Sequence, residues 1–359
     1  MQTALTRRLN LRHPIIQAPM AGTSTPEMAA AVTEAGGLGS IAIGSVGVDE
    51  ARAAIRKTRA LTGGPFNVNV FCHDPVEADP ARNADWIDSL KPWFAAFGAE
   101  PPVELKNIYR SFRVDDAALA LLIEERPAVV SFHFGLPDAA RIAALKAAGI
   151  VLLATATSPQ EGRAVQGAGI DMVIAQGVEA GGHRGVFDPA DDPRFATLPL
   201  TRLLSTALDI PVIAAGGIMD GAGVAAALAL GAAGAQLGTA FVACPESAAG
   251  ATYRAKLAGA DAGRTRVSAA ISGRPARGLE NDFMRRADEG RIAPYPFAYD
   301  IGKALNAAAT AAGDTGYMPN WAGQGAPLSR AMPAEALVET LVRETRQALG
   351  RMGDLRAQE

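Results

Sequence analysis

Cysteine is nearly absent from this chain: Cys72 and Cys244 are the only two in 359 residues. A disulfide framework or a cysteine-based metal site needs more than that. Charge of one sign is lacking too. The formal charge is −3 and the isoelectric point near 5.9. No basic excess advertises a nucleic acid or an anionic membrane surface as partner. The arginine groups Arg7, Arg8, Arg12 and Arg343, Arg346, Arg351 read as solvated surface. Long apolar runs are missing as well. The opening MQTALTRRLNLRHP holds no segment suited to a signal peptide. The Ala-rich stretch from Gly221 to Ala235 is broken by glycines and too short to span a bilayer. The expectation is a cytoplasmic protein without metal, nucleic acid or membrane partner.

What remains is ordinary globular material, 49% hydrophobic and 20% charged, long enough for a large core. Short apolar runs alternate with Ala-rich helical stretches, the pattern of a parallel sheet covered by helices. Eight strands are expected: Pro14–Ala18, Leu38–Ile43, Phe66–Phe71, Ala128–Phe134, Ile150–Thr155, Met172–Gln176, Pro211–Ala215 and Ala235–Thr239. Helix starts are signalled at Thr25-Pro26 and Ser158-Pro159, each an N-cap residue before a proline. Eight β/α alternations give an α/β fold, a (β/α)8 TIM barrel, with a doubly wound sheet as competitor. The barrel is expected over residues 1–244, with a helical insertion at about 72–126. Residues 245–332 lose the alternation and read as a smaller, mainly α-helical cap domain. The segment 333–359 reads as an amphipathic helix returning to the barrel, with Leu337, Leu341, Thr345 and Leu349 on one stripe.

In either fold, ligands sit at the carboxyl ends of the strands, so the chemistry is sought there. Strand one ends in Ala18-Pro19-Met20, followed by small residues that leave backbone open to a flat ligand. Strand three places Asn67 and Asn69 on one face and Val68 and Val70 on the other. Amides inside a barrel mouth need hydrogen-bond partners, either local backbone or the polar edge of a ligand. His133 ends strand four, as a satisfied structural histidine or as a contributor to the site. Strand six runs into Gln176-Gly177-Val178-Glu179-Ala180-Gly181-Gly182-His183-Arg184-Gly185. Its glutamine can both donate and accept. Its histidine stands on a glycine-rich loop, with an ordinary pKa of about 6.5, suited to acid–base work. Gly216-Gly217 after strand seven and Gln236-Leu237-Gly238-Thr239 after strand eight suit the phosphate site common in such barrels. No Rossmann GxGxxG and no Walker sequence appears. A mononucleotide therefore fits better than a dinucleotide, and the parts outline FMN across the barrel mouth with His183 above it.

Taken together, QAPMAG, TPEMAAAV, NVNVF, SFHFGLP, AQGVEAGGHRG, PVIAAGGI, GAQLGTAF, SGRPARGLEN and YPFAY resemble the nitronate monooxygenases (2-nitropropane dioxygenases), most closely the bacterial class I type. The resemblance covers nearly the whole chain except the insertion after strand three. It implies FMN held by Ala18, Pro19 and Met20 through backbone, and by Asn69 and Gln176 through side chains. Gly181, Gly217, Gln236, Leu237, Gly238 and Thr239 would hold the ribityl phosphate end, with Gly182 and Gly216 as further cofactor contacts. It makes His183 the active-site histidine, acting as base on a nitroalkane or as anion binder on a nitronate. His133, Tyr299 and Lys303 are further substrate contacts. The implied reaction is oxidative denitrification of alkyl nitronates such as propionate 3-nitronate by dioxygen, a detoxification giving a carbonyl compound and nitrite or nitrate. A monomer or a homodimer is expected. Two rivals stay open: an FMN enzyme using NAD(P)H to reduce enoyl-acyl carrier protein or quinone, and a flavin-free phosphate-binding barrel lyase or synthase. The second leaves Asn69 and Gln176 unexplained.

Overall fold

The computed structural model describes residues 1–356. Eight parallel strands form one sheet: β1 (Ile15–Gln17), β2 (Gly39–Ala42), β3 (Phe66–Phe71), β4 (Val129–His133), β5 (Val151–Ala156), β6 (Met172–Gln176), β7 (Val212–Ala215) and β8 (Gly234–Leu237). Each pairs with its sequence neighbour, and β8 pairs with β1. A bridge between Ile16 and Leu38 joins β1 to β2 and rounds off the barrel. All eight expected strands are present, most of them shorter by a residue or two at their ends.

Helices fill the outer ring, and the two whose starts the sequence signalled begin where expected. In α2 (Pro26–Glu34), Thr25 accepts the Met28 N–H at 3.0 Å ahead of Pro26. In α7 (Pro159–Gly167), Ser158 accepts the Glu161 N–H at 3.2 Å. Such side chains satisfy amides that the first helical turn leaves unpaired. The ring also holds α3 (Val48–Leu61), α5 (Asp116–Glu125), α6 (Ala139–Ala147), α8 (Thr197–Ala207) and α9 (Gly221–Ala229). The short α1 (Ala4–Leu9) plugs the barrel floor, its Leu5 and Leu9 packing with Ile16, Leu153, Ile174 and Ile213. The closing helix α14 (Ala334–Arg356) lies on α9 and α2, with Leu337, Leu341 and Thr345 buried and Leu349 half-buried. Positions 357–359 of the expected 333–359 segment lie outside the described residues.

The insertion after β3 divides between two layers. Its second helix, α5, belongs to the barrel ring beside α3 and α6. Its first, α4 (Pro80–Ala96), joins the cap: Trp86, Leu90 and Phe94 pack against Phe283, Ile301 and Leu305. The cap carries helices α11 (Ala251–Ala258), α12 (Asp282–Arg286) and α13 (Phe297–Ala311), after the short α10 (Thr239–Val242) that follows β8. It also carries a β-hairpin that the sequence did not announce, β9 (Thr265–Ser268) and β10 (Ala276–Leu279). Four-residue strands containing arginine and glycine give too little alternation to stand out from a helical surrounding. The hairpin matters for position, because β10 pairs antiparallel with the loop residues Gly182 and His183. Among the described residues, no helix is long and apolar enough to cross a membrane.

Candidate active site

Inside the barrel, the strands carry apolar residues low down and polar ones at the mouth. Val129, Leu153, Met172 and Ile213 fill the lower interior. Above them stand Asn69, Ser131, Thr155 and Gln176, all buried. Val68 and Val70 point into the outer apolar layer instead, which is the alternation expected of β3. Asn69 Nδ2 donates to Ser131 Oγ at 2.9 Å and to the Ser131 carbonyl at 3.1 Å. Asn67, one pleat lower, donates to Ser40 Oγ and lies below the mouth.

These residues floor a cavity of about 350 Å³, a size usual for a ligand site. The cavity brings together the sequence-nominated Ala18, Pro19, Met20, Asn69, His133, Gln176, Gly181, Gly182, His183, Gly216, Gly217, Gln236, Gly238, Thr239, Tyr299 and Lys303. Leu237 is the exception. Its side chain packs in the outer layer with Ile15 and Phe241, because the β8 alternation sends Gln236 inward and Leu237 outward. Its carbonyl accepts from the Ala18 N–H at 2.8 Å, so it ties β8 to the strand-one turn without touching the cavity.

His183 is the centre of this arrangement. Its ring lies among Phe134, Tyr295, Tyr299 and Trp321, with centroids 5.2–6.0 Å away. Its Nε2 is 2.8 Å from Ser272 Oγ. Burial above all, then the positive sides of His133 and Arg274, push its pKa down to about 3. The ring is therefore neutral across physiological pH. The His183 carbonyl accepts two hydrogen bonds, from Gln176 Nε2 at 3.1 Å and from His133 Nε2 at 3.1 Å. A carbonyl can only accept, so His133 carries its proton on Nε2, and its Nδ1 accepts from Thr155 Oγ1 at 3.0 Å. Both nitrogens of His133 are thus engaged within the protein, and burial holds its pKa near 4. Its geometry is that of a residue that holds the His183 loop.

Gln176 is fixed from behind. Its Oε1 accepts from the Gly185 N–H at 2.7 Å and from Arg184 Nη1 at 3.3 Å. One Nε2 hydrogen remains for the cavity. Arg184 is fully buried and forms a two-pronged ion pair with Asp192, at 2.8 and 3.0 Å. The Gly181 position is dictated by packing: a Cβ there would lie 2.5 Å from the Gly323 nitrogen.

The opposite end of the cavity is a backbone cradle. Gly217 sits at φ +68°, a conformation that strains any residue with a Cβ. Gln236 lines this end, and its buried Oε1 has no hydrogen-bond partner among the described residues. Thr239 Oγ1 accepts from the Gly323 N–H at 3.0 Å and keeps its own hydrogen to donate. An orphaned acceptor, an unused hydroxyl hydrogen and an open glycine turn fit the polar tail of a mononucleotide. At the mouth, the exposed Lys303 places Nζ 4.8 Å from the Tyr109 ring centroid and 5.4 Å from that of Tyr299. It can meet an anion there without a carboxylate competing for it.

Sequence reasoning passed over Tyr295, Trp321, Tyr109 and Ser272. Tyr295 and Ser272 lie inside the YPFAY and SGRPARGLEN segments and carried a signal. Tyr109 and Trp321 come from irregular stretches that carry none, and only the tertiary fold brings them to His183.

A (β/α)8 barrel with a closed-over polar mouth and a neutral histidine on its sixth loop defines an oxidoreductase of the nitronate-oxidising kind once its relatives are considered. The family model described as nitronate monooxygenase matches residues 2–344, and the chain belongs to that family. A nitronate monooxygenase from Paraburkholderia phytofirmans is 58% identical, over 96% of both chains. The nitroalkane oxidase structure from Streptomyces ansochromogenes is 42% identical with a TM-score of 0.88, covering 98% of this chain and all of that one. FabK from Thermotoga maritima is 32% identical with a TM-score of 0.77, covering 99% of each.

Proposed function

We propose that this chain is an FMN-dependent enzyme that oxidises alkyl nitronates of the propionate 3-nitronate type with dioxygen, yielding a carbonyl compound and nitrite or nitrate. The observation that carries the reading is a neutral His183 lining a cavity whose mouth holds Lys303. A small anion reaching the mouth meets the Lys303 ammonium first. His183 then lies within the same aromatic enclosure, which excludes water and strengthens each polar contact. The flavin, when bound, supplies the redox chemistry: it takes electrons from the substrate and passes them to dioxygen.

The chain's own residues divide the work. Ser272 Oγ donates its hydrogen to the Arg274 carbonyl and so accepts from His183 Nε2, which leaves Nδ1 free to accept. With a nitroalkane, Nδ1 would accept the proton from the carbon beside nitrogen; with a preformed nitronate, the ring orients the anion. Gln176 and His133 keep the His183 backbone in place. Gly217, Gln236, Gly238 and Thr239 would hold the phosphate end of the flavin, and Asn69 and Gln176 would bind its ring.

Oxygen uptake on adding propionate 3-nitronate, with no nicotinamide present, tests the proposal. Rapid uptake is expected. A yellow, folded protein that takes up no oxygen yet is reduced rapidly by NADH would replace the reading with a nicotinamide-dependent reductase. The cradle has its own test. Gly238→Ala with Thr239→Val adds a Cβ 3.4 Å from the Ala18 Cβ and removes the hydroxyl. The flavin-to-protein absorbance ratio after purification should fall at least severalfold. A fully yellow double variant would move the phosphate elsewhere.

A further inference from the structure

Four arginines are buried among the described residues. Arg141 and Arg184 pair with carboxylates. Arg277 gives Nε to the Val178 carbonyl at 2.8 Å and Nη1 to Thr265 Oγ1 at 3.0 Å. Arg274 is answered least: its Nη2 donates to the Val186 carbonyl, and its Nε is buried without an acceptor. Burial lowers its pKa to about 10, with Tyr295, Asp188 and Glu161 acting against that, so it stays a cation at neutral pH. Neither acid forms an ion pair with it. Glu161 accepts from Thr157 and from the Phe187 N–H, and Asp188 from the Ala190 N–H. Burying a charge without a counter-ion costs stability, and the place of this one is informative. Its guanidinium carbon lies 4.5 Å from the Phe134 ring centroid. Phe134 lines the active-site cavity, and Arg274 does not. The same ring packs against His133 and His183, with centroids 4.6 and 5.6 Å away. A fixed cation therefore stands one aromatic ring behind the wall that His183 shares. Its field crosses that wall: burial comes first in lowering the pKa of His73, His133 and His183, and the Arg274 charge adds to it in each. Among the described residues, no aspartate or glutamate lines the cavity to cancel that field.

We propose that Arg274 gives the cavity a fixed positive potential, so that the site holds anionic ligands in preference to neutral ones of the same shape. The proposal rests on the proposed function for the nature of the substrate, a nitronate anion. Its own content is where the selecting charge sits. Arg274 touches no ligand and acts through the Phe134 wall, as a positioning residue. The two cations near the site divide the work. Lys303 is exposed at the mouth, where water and salt weaken its reach. Arg274 is buried, and its charge acts through an interior of low polarity, where the same separation carries a larger energy. Lys303 meets the anion on entry, and Arg274 retains it inside the aromatic enclosure. A neutral nitroalkane of the same size gains far less from either.

Butanoate and butanamide separate charge from shape, since both have small planar heads and neither is consumed. Calorimetric titration of the purified full-length protein should show butanoate bound more tightly. Arg274→Met keeps bulk over Phe134 and removes the charge. It should weaken butanoate by about fivefold or more, the effect of one charge several ångströms away at intermediate dielectric, and leave butanamide unchanged. Arg274→Lys keeps the charge and should keep most of the preference. Equal losses of both ligands in the two variants would mean a structural role only and would overturn the proposal. Lys303→Met tests the same charge with Arg274 in place. A preference for butanoate should remain and should persist at high salt, because a buried charge is screened far less than an exposed one. An Arg274→Met protein with an unchanged butanoate-to-butanamide ratio would overturn the proposal, and so would a Lys303→Met protein with no preference left. If the ratios behave as expected but no nitronate drives oxygen uptake, Arg274 keeps its role and the proposed reaction falls.

Discussion

His183→Asn is expected to lower turnover of neutral nitroalkanes by roughly 10²–10⁴-fold, the usual range for removing a positioned base. It should leave flavin content unchanged and turnover of preformed nitronates far less affected. The asymmetry follows from the proton. A nitroalkane must lose one from carbon, and in the proposed reaction Nδ1 of His183 takes it, whereas a nitronate arrives without it. The pH profile carries the second half of the prediction. Burial, with His133 and Arg274 adding to it, lowers the His183 pKa to about 3. The base form therefore exists at every pH above that value and is lost only as pH falls through it. The nitroalkane kcat/KM should show no ascending limb near 6.5, where an exposed histidine would titrate. A limb centred there would mean that His183 is far better solvated than the aromatic enclosure implies. Equal nitroalkane rates for variant and unmodified enzyme would remove the histidine from its role as base.

The barrel was readable because the strands are short and apolar, most are followed by a glycine or a cap, and β3 alternates amides with valines. That pattern located the mouth as well as the fold: Asn69, Gln176, Gly217 and Thr239 all lie on the one cavity. Leu237 shows the limit of reading a motif as a block. Alternation alone would have sent it outward, and the structure does so. His133 was left between two readings, and only its two fixed hydrogen-bond partners separate them. The hairpin of β9 and β10 is the larger omission. Its partner strand is two residues of a loop, Gly182 and His183, and no local sequence pattern announces a pairing made across about ninety positions. Tyr109 and Trp321 were invisible for the same reason, since an aromatic in an irregular segment gives no sign of what it will face.

The ion pair behind Gln176 supports the other large effect. Asp192→Ala should destabilise the fold by about 3–5 kcal/mol, because it strands a buried guanidinium that has no other carboxylate partner among the described residues. In a chain of this size that lowers Tm by roughly 5–10 °C, readable by thermal scanning. Burial alone would raise the Asp192 carboxyl pKa, but the hydrogen bond and charge of Arg184 outweigh it and hold the carboxyl below its ordinary value. A depressed folded pKa gives stability that is present above the unfolded value and is lost as pH falls through the folded one. The pair therefore persists through mildly acid conditions and fails only below about pH 4. The double variant Arg184→Met with Asp192→Leu separates stability from position. Removing both charges should restore most of the lost Tm, since a matched apolar pair avoids the stranded cation. It should not restore turnover, because Arg184 Nη1 also bonds the Gln176 side chain and the Gly177 carbonyl, and methionine offers no donor to either. A double variant that regains both Tm and activity would show that Gln176 is held well enough by the Gly185 N–H alone, and that the ion pair serves the fold without serving the site.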